Sequence, residues 1–155
     1  MAAESEQLAL ALADIGRQVL QELSGLPEDV LNRSIDLPEA NTLFALATHL
    51  VGAAEFWALS VGGGRMIDRD RAAEFVARGT YADLERRYSA WMVALDEALS
   101  HRSTDELDQR VELPPEQRDT LGKQQPTLRA CVLHAIEHSA LHLGHIQLTR
   151  TLLVH

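Results

Sequence analysis

Four stretches of the chain repeat apolar residues at three- and four-residue spacing, which is the period of an amphipathic helix. The first, SEQLALALADIGRQVLQELSGL, stops at Gly25 with Pro27 beyond it and predicts a helix over about residues 5–24. The second, NTLFALATHLVGAAEFWALS, opens on Asn41 as the predicted N-cap and predicts a helix over about residues 42–60. The third and fourth predicted helices cover about residues 81–100, behind a capping box from Thr80 to Asp83, and about residues 127–153.

These helices predict an all-α protein in which one four-helix bundle domain occupies residues 1–155. A chain of this length can bury a sizeable core within a single domain. The connections between helices two and three and between helices three and four are long, and the second of them begins with a short capped turn in STDELDQRV. One helical turn is also expected in PEDVLNRSIDLPEA, between helices one and two. Because long connections permit crossovers, the bundle is not expected to run simply up and down.

Charge and terminal composition exclude several classes of protein. The chain carries 14 basic and 23 acidic residues, for a formal net charge of -9, which argues against a general nucleic-acid binder because such affinity depends on neutralising phosphates. The acidic start, MAAESEQLALALADI, lacks the basic region of a signal peptide, and no apolar run approaches the roughly 18 residues of a membrane span. We therefore predict a cytoplasmic protein without a membrane partner. The lone Cys131 excludes an internal disulfide and a cysteine-based zinc cluster, so any metal must be held by nitrogen and oxygen.

The last predicted helix holds four of the seven histidines of the chain, His134, His138, His142 and His145. At 3.6 residues per turn they fall within about 80° of one another around the helix axis, on an apolar stripe that we expect to face the core. An unpaired imidazole is costly in a core. His138 and His142 are spaced i, i+4, so both rings can approach one metal ion, and a third ligand is expected from another helix.

Helix two supplies a candidate third ligand in His49, which lies on an apolar face. Three imidazoles with one position left open form the ligand set of a catalytic metal site and not of a closed structural one. The alternative is that these are hydrogen-bonded core residues, as an isolated histidine on an apolar face usually is. That interpretation is sufficient for His134 or His145 taken alone, and the spacing leaves both interpretations of the cluster open.

Several other residues have simple structural interpretations. Cys131 shares the histidine stripe and is expected to be a small buried apolar residue. The large aromatic residues of helices two and three are expected to make core or subunit contacts; they are Phe56, Trp57 and Trp91. The acidic residues between these helices are expected to form a solvated loop; they are Asp68, Asp70 and Glu74.

The segments TLRACVLHAIEHSALHLGHIQLTRTLL and LFALATHLVGAAEFW together resemble the DinB-like superfamily, also called the YfiT-like metal-dependent hydrolases. In that superfamily the last helix commonly reads H-x-x-x-H-x-G-Q-I. The resemblance covers nearly the whole chain and implies an up-down-down-up bundle, usually dimeric. It also implies a divalent metal and a water on His49, His138 and His142. His134 stands where members often have a histidine that is not a ligand, and His145 stands where they usually have Gln. We therefore expect His145 to hydrogen-bond a metal ligand or a metal-bound water, or to face the substrate, in preference to binding the metal directly.

Relatives with assigned activities resemble thiol S-transferases that use mycothiol or bacillithiol, and the mycothiol-dependent maleylpyruvate isomerase. The resemblance therefore implies an enzyme in which a divalent ion, zinc or nickel, activates a low-molecular-weight thiol. Attack by a metal-activated water is the hydrolase variant. It is less favoured because Glu55 and Glu137 point away from the histidines and no carboxylate is predicted on their face. The alternative from another class is a non-catalytic, dimeric, metal-binding or stress-associated scaffold protein.

Overall fold

The fold comes from a computed structural model, which describes residues 3–117, 121 and 125–154. Four long helical segments form the bundle: α1 (Glu4–Leu23), α3 (Leu43–Ala54) continued by a π-helical segment (Glu55–Val61), α5 (Tyr81–Leu99) and α7 (Leu128–Val154). Short helices lie between them: α2 (Glu28–Leu31), α4 (Arg71–Val76), α6 (Thr104–Leu107) and a 3₁₀ turn (Pro115–Gln117). The described residues contain no β-strand, and the all-α fold predicted from the sequence is confirmed.

Side-chain contacts establish the directions of the long helices. Arg129 at the start of α7 pairs with Glu4 at the start of α1, and Gln147 bonds Glu22 near the end of α1, so α1 and α7 are parallel. α3 runs against α7, because His49 lies beside His142 and Trp57 lies beside His134.

α5 runs against α1, because Gly16 packs on Trp91 whereas Ala9, further back in α1, shares a cleft with Leu95, further along α5. Two neighbouring parallel helices, α1 and α7, therefore stand beside two that run the other way, which is the up-down-down-up order. Because α3 and α5 run in the same direction, the long connection between them, which contains α4, has to return along the bundle.

Local signals account for most helix ends, with one correction. The N-cap of α3 is Thr42 and not Asn41, because the Thr42 hydroxyl accepts a hydrogen bond from the amide of Ala45 at 3.0 Å. The predicted Thr80–Asp83 capping box begins α5, with both of its reciprocal hydrogen bonds present. The helix expected to continue regularly to residue 60 changes to π-helical geometry after Ala54, a local winding that is common near functional sites.

The large aromatic residues, for which both core contacts and subunit contacts were expected, belong to the core. Phe56, Trp57 and Trp91 are each at most 9% exposed, so they are packed within the chain and are not available to a partner. Cys131 is fully buried, as predicted. By length and composition alone Leu43–Val61 could cross a membrane, contrary to the expectation that no apolar run is long enough. However, 78% of its most apolar 18-residue stretch is buried inside the bundle. Packing against the neighbouring helices accounts for its apolar composition.

Candidate metal centre

His49, His138 and His142 converge between α3 and α7. Each offers one ring nitrogen, and these nitrogens all lie within 4.8 Å of one another. The ring centroids of His49 lie 5.2 Å from His138 and 4.7 Å from His142, and the centroids of His138 and His142 are 4.5 Å apart. His49 is 3% exposed, whereas the two histidines of α7 are half-buried. The cluster therefore has one buried side and one side that opens toward solvent.

The other two histidines of the stripe lie at its ends. His134 packs edge-on against Trp57, with ring centroids 4.7 Å apart, and does not join the cluster of three. The Nδ1 atom of His145 lies 3.4 Å from Nδ1 of His142. His145 is exposed, so the prediction that the whole stripe faces the core is wrong for this residue. Its ring lies beside His142 at the solvent-facing end of the stripe.

A buried carboxylate reaches the cluster from the segment that was predicted to be a solvated loop. Asp68 and Asp70 are exposed, as expected, and Asp70 caps α4 by accepting a hydrogen bond from the amide of Ala73. The prediction is wrong for Glu74, which is 5% exposed and accepts a hydrogen bond from Nδ1 of His49 at 2.7 Å. α4 turns this side chain onto α3.

Gly52 makes room for that carboxylate. A Cβ atom at residue 52 would lie 2.2 Å from Oε1 of Glu74 and 2.9 Å from its Cδ atom, closer than packed atoms approach. Only a residue without a side chain lets the carboxylate lie flat against α3. Glu55 and Glu137 were expected to point away from the histidines. Glu55 pairs with Arg87 at 2.7 Å, and Glu137 is exposed.

Arg69 holds Glu74 from the other side. Its Nε donates to Oε1 at 2.7 Å and its Nη2 donates to Oε2 at 2.9 Å, a bidentate arrangement that is shorter and stronger than an ordinary hydrogen bond. The guanidinium also lies over the ring of Phe56, 5.7 Å from its centroid. Burial would raise the pKa of the Glu74 carboxyl, but the hydrogen bonds from His49 and Arg69 and the charge of Arg69 outweigh burial and lower it. Glu74 is therefore an anion at neutral pH.

Local electrostatics favour the neutral form of the two α7 histidines of the cluster. Burial, reinforced by the neighbouring imidazoles, lowers the pKa of His138 to about 3 and that of His142 to about 4. Both rings are therefore neutral near pH 7 and present a lone pair, which is the form that binds metals. Burial also lowers the pKa of His134. By contrast, burial raises the pKa of the Cys131 thiol to about 11, so this cysteine is not a nucleophile.

The donor set fits a divalent ion. Three imidazole nitrogens bound to one zinc at about 2.1 Å would lie roughly 3.4 Å apart, so the observed spread of up to 4.8 Å is closed by small side-chain rotations. The Nδ1 atom of His138 is buried without a hydrogen-bond partner among the described residues, an arrangement that needs a further explanation such as a bound ion. His49 has the outer carboxylate that metal-bound histidines almost always have.

Sequence reasoning missed Glu74 and Arg69. The sequence contains a weak signal for the short helix α4, because Asp70 is a typical N-cap residue and precedes the partly apolar segment RAAEFV. A glycine inside the apolar helix two was a second signal, since such a residue often marks close approach of another group. Neither signal indicates which acidic residue is buried.

Comparison with known proteins agrees with the geometry. A family model described as mycothiol-S-transferase matches residues 7–154. A crystal structure of a conserved protein from Enterococcus faecalis superposes with a TM-score of 0.76 at 12% identity, covering 99% of each chain, and this likeness concerns the fold alone. No curated protein is significantly similar in sequence.

Proposed function

We propose that this chain, which belongs to the mycothiol-S-transferase family, is a divalent-metal-dependent enzyme that transfers a low-molecular-weight thiol to an electrophile. The observation that carries the proposal is the convergence of three imidazoles from α3 and α7, one of them fixed by a buried carboxylate. His49, His138 and His142 would hold the ion, with zinc or nickel favoured because imidazole suits both. A divalent ion bound there would lower the pKa of a coordinated thiol and so supply a thiolate at neutral pH.

The chain does not supply the thiol itself. Cys131 is fully buried and its thiol pKa is about 11, so the nucleophilic sulfur has to come from a second molecule. Mycothiol is the first candidate because of the family, and bacillithiol is the second. This requirement agrees with the half-buried, solvent-facing side of the histidine cluster, through which a small thiol can approach.

The hydrolase variant is disfavoured, although not for the reason inferred from the sequence, which was that no carboxylate lies near the histidines. A carboxylate does contact the cluster, but both oxygens of Glu74 already accept hydrogen bonds from Arg69, and one also accepts from His49. A general base needs a free oxygen within reach of the attacking water. Glu74 therefore orients a ring and does not abstract a proton.

Thiol transfer replaces the S–H bond of the thiol with an S–C bond to the electrophile. The leaving group of the electrophile departs with the electron pair of its broken bond, as chloride does from chlorodinitrobenzene, and the proton of the thiol needs an acceptor. His145 is exposed and lies beside His142 at the open side of the cluster. A neutral imidazole can donate from one nitrogen and accept at the other. We assign His145 a substrate-facing position and His134 a supporting one behind His138.

Metal analysis combined with a thiol screen tests the proposal. Mycothiol, bacillithiol and glutathione are each offered with a chromogenic alkylating electrophile such as chlorodinitrobenzene. We expect metal-dependent transfer that His49→Ala abolishes along with the bound ion, and that His101→Ala preserves, because His101 is exposed and is not one of the three converging histidines. Transfer that persists in His49→Ala would refute the metal-dependent mechanism. Bound metal without turnover of any thiol would favour the scaffold alternative.

We also propose that two copies associate through the outer face of α7. Leu141, Leu148 and Leu152 are spaced along one side of this helix and are 58%, 61% and 54% exposed, an apolar surface that a monomer would leave in water. The resemblance to dimeric bundles supports a second copy as the occupant. Light scattering at micromolar concentration should give twice the chain mass, and Leu148→Glu should halve it; a monomeric wild-type protein would refute the proposal.

A further inference from the structure

We propose that Glu74, held by Arg69, is a positioning residue that fixes the tautomer of His49, so that the metal-facing nitrogen is a free lone pair before any ion binds. The inference deepens the proposed function and rests on it only for the identity of the ligand. Glu74 reaches no reacting atom in this structure. Its effect is exerted through the ring that it touches.

The first step concerns which nitrogen of His49 carries the proton. A carboxylate accepts hydrogen bonds and does not donate them. Because Oε2 of Glu74 lies 2.7 Å from Nδ1 of His49, the proton of the neutral ring resides on Nδ1. The other ring nitrogen, Nε2, is then unprotonated and available to a metal ion.

The second step concerns why Glu74 cannot move away. Arg69 engages both of its oxygens, and the pocket formed by Gly52 admits the carboxylate in one place. The His49 ring is also fixed by Phe75, which stacks on it with centroids 4.5 Å apart and planes inclined by 29°. Ring orientation and protonation are therefore both set before an ion arrives.

The third step concerns what happens without the carboxylate. Nη2 of Arg69 already lies 3.5 Å from Nδ1 of His49, and a guanidinium can only donate. If Glu74 is removed, the nearest polar group to Nδ1 is a donor, and Nδ1 becomes an acceptor. The proton of the neutral ring then moves to Nε2, where it blocks the nitrogen that the metal needs.

Long-range proton–nitrogen NMR on metal-free protein tests the inference directly, because it distinguishes the two tautomers. We expect the Nδ1–H form of His49 in the wild-type protein and the Nε2–H form in Glu74→Ala. Glu74→Gln should retain the Nδ1–H form, since an amide oxygen can still accept that hydrogen bond. The matched control is Glu55→Ala, which removes a glutamate that pairs with Arg87 and not with His49. It should leave the His49 signals unchanged.

Competition titration with a chelator gives the second readout. Loss of a carboxylate behind a metal-bound histidine typically lowers metal affinity by about 10–100-fold, which we expect for Glu74→Ala, with most of that loss recovered in Glu74→Gln. An Nε2–H tautomer in the wild-type protein, or an unchanged tautomer in folded Glu74→Ala, would overturn the inference. If Glu74→Ala does not fold, the wild-type and Glu74→Gln tautomers still decide it. Wild-type protein that binds no metal but shows the expected tautomers would refute the proposed function and leave this inference standing.

Discussion

The sharpest test of the packing behind the histidine cluster is the substitution Gly52→Ala. A methyl group there would lie 2.2 Å from Oε1 of Glu74, whereas ordinary contacts begin near 3.4 Å, so the carboxylate would have to retreat by 1.2 Å (3.4 minus 2.2). Glu74 cannot move aside without breaking hydrogen bonds. It is buried and hydrogen-bonded to both Arg69 and His49, so the methyl group and those hydrogen bonds cannot coexist.

Two opposing effects determine the change in stability. Overpacking a well-filled site costs about 1–3 kcal/mol. Replacing glycine inside a helix by alanine contributes about 0.5–1 kcal/mol in the other direction. We therefore expect Gly52→Ala to lower the free energy of unfolding by about 1–2 kcal/mol, together with weaker metal binding because His49 loses its partner.

A double-mutant cycle isolates the contact. In a Glu74→Ala background no carboxylate opposes the new methyl group, so Gly52→Ala should stabilise the protein by about 0.5–1 kcal/mol. The four proteins are compared by urea unfolding of the metal-free form, followed by circular dichroism. If Gly52→Ala has the same effect in both backgrounds, the reasoning that glycine is there to admit Glu74 is wrong.

Three further predictions concern neighbouring groups. Tyr88→Phe removes the buried hydrogen bond to the carbonyl of Ala47 and should lower the free energy of unfolding by about 1 kcal/mol in urea titrations, with metal content unchanged. Because the pKa values of His138 and His142 are lowered to about 3 and 4 in the folded protein, the metal-free chain binds more protons below pH 6.5 when it is unfolded than when it is folded. The melting temperature of the metal-free protein should therefore fall as the pH is lowered from 6.5 toward 4, and should fall less steeply in the His138→Gln variant. A melting temperature that does not change over this pH range would contradict those pKa values. His145→Gln should keep the fold and the bound ion, and loss of the ion at neutral pH would mean that residue 145 is a ligand.

Much of the fold was predictable because it depends on local rules. The periodicity of apolar residues placed each long helix within one or two residues of its observed ends, and Thr80 with Asp83 began α5 as a capping box. The i, i+4 pair on α7 was predictable for the same reason, since both rings follow from one helical period. The convergence of His49 with that pair required only that α3 and α7 be neighbours, and their apolar faces made this a reasonable expectation.

Glu74 and Arg69 could not be assigned in that way, because their positions depend on contacts between segments and not on periodicity. Arg69 lies in a segment with no repeating apolar pattern, and Glu74 lies in the six-residue helix α4, where a glutamate is usually solvated. Burial of Glu74 becomes favourable only when three separate features coincide: an arginine that pairs with it, a histidine that donates to it, and a glycine that leaves space for it. Each feature alone has a simpler explanation. The burial of Glu74, a charged residue in a polar connection, was therefore not predictable from the sequence. The same dependence makes the arrangement testable, because removal of any one of the three should disturb the other two.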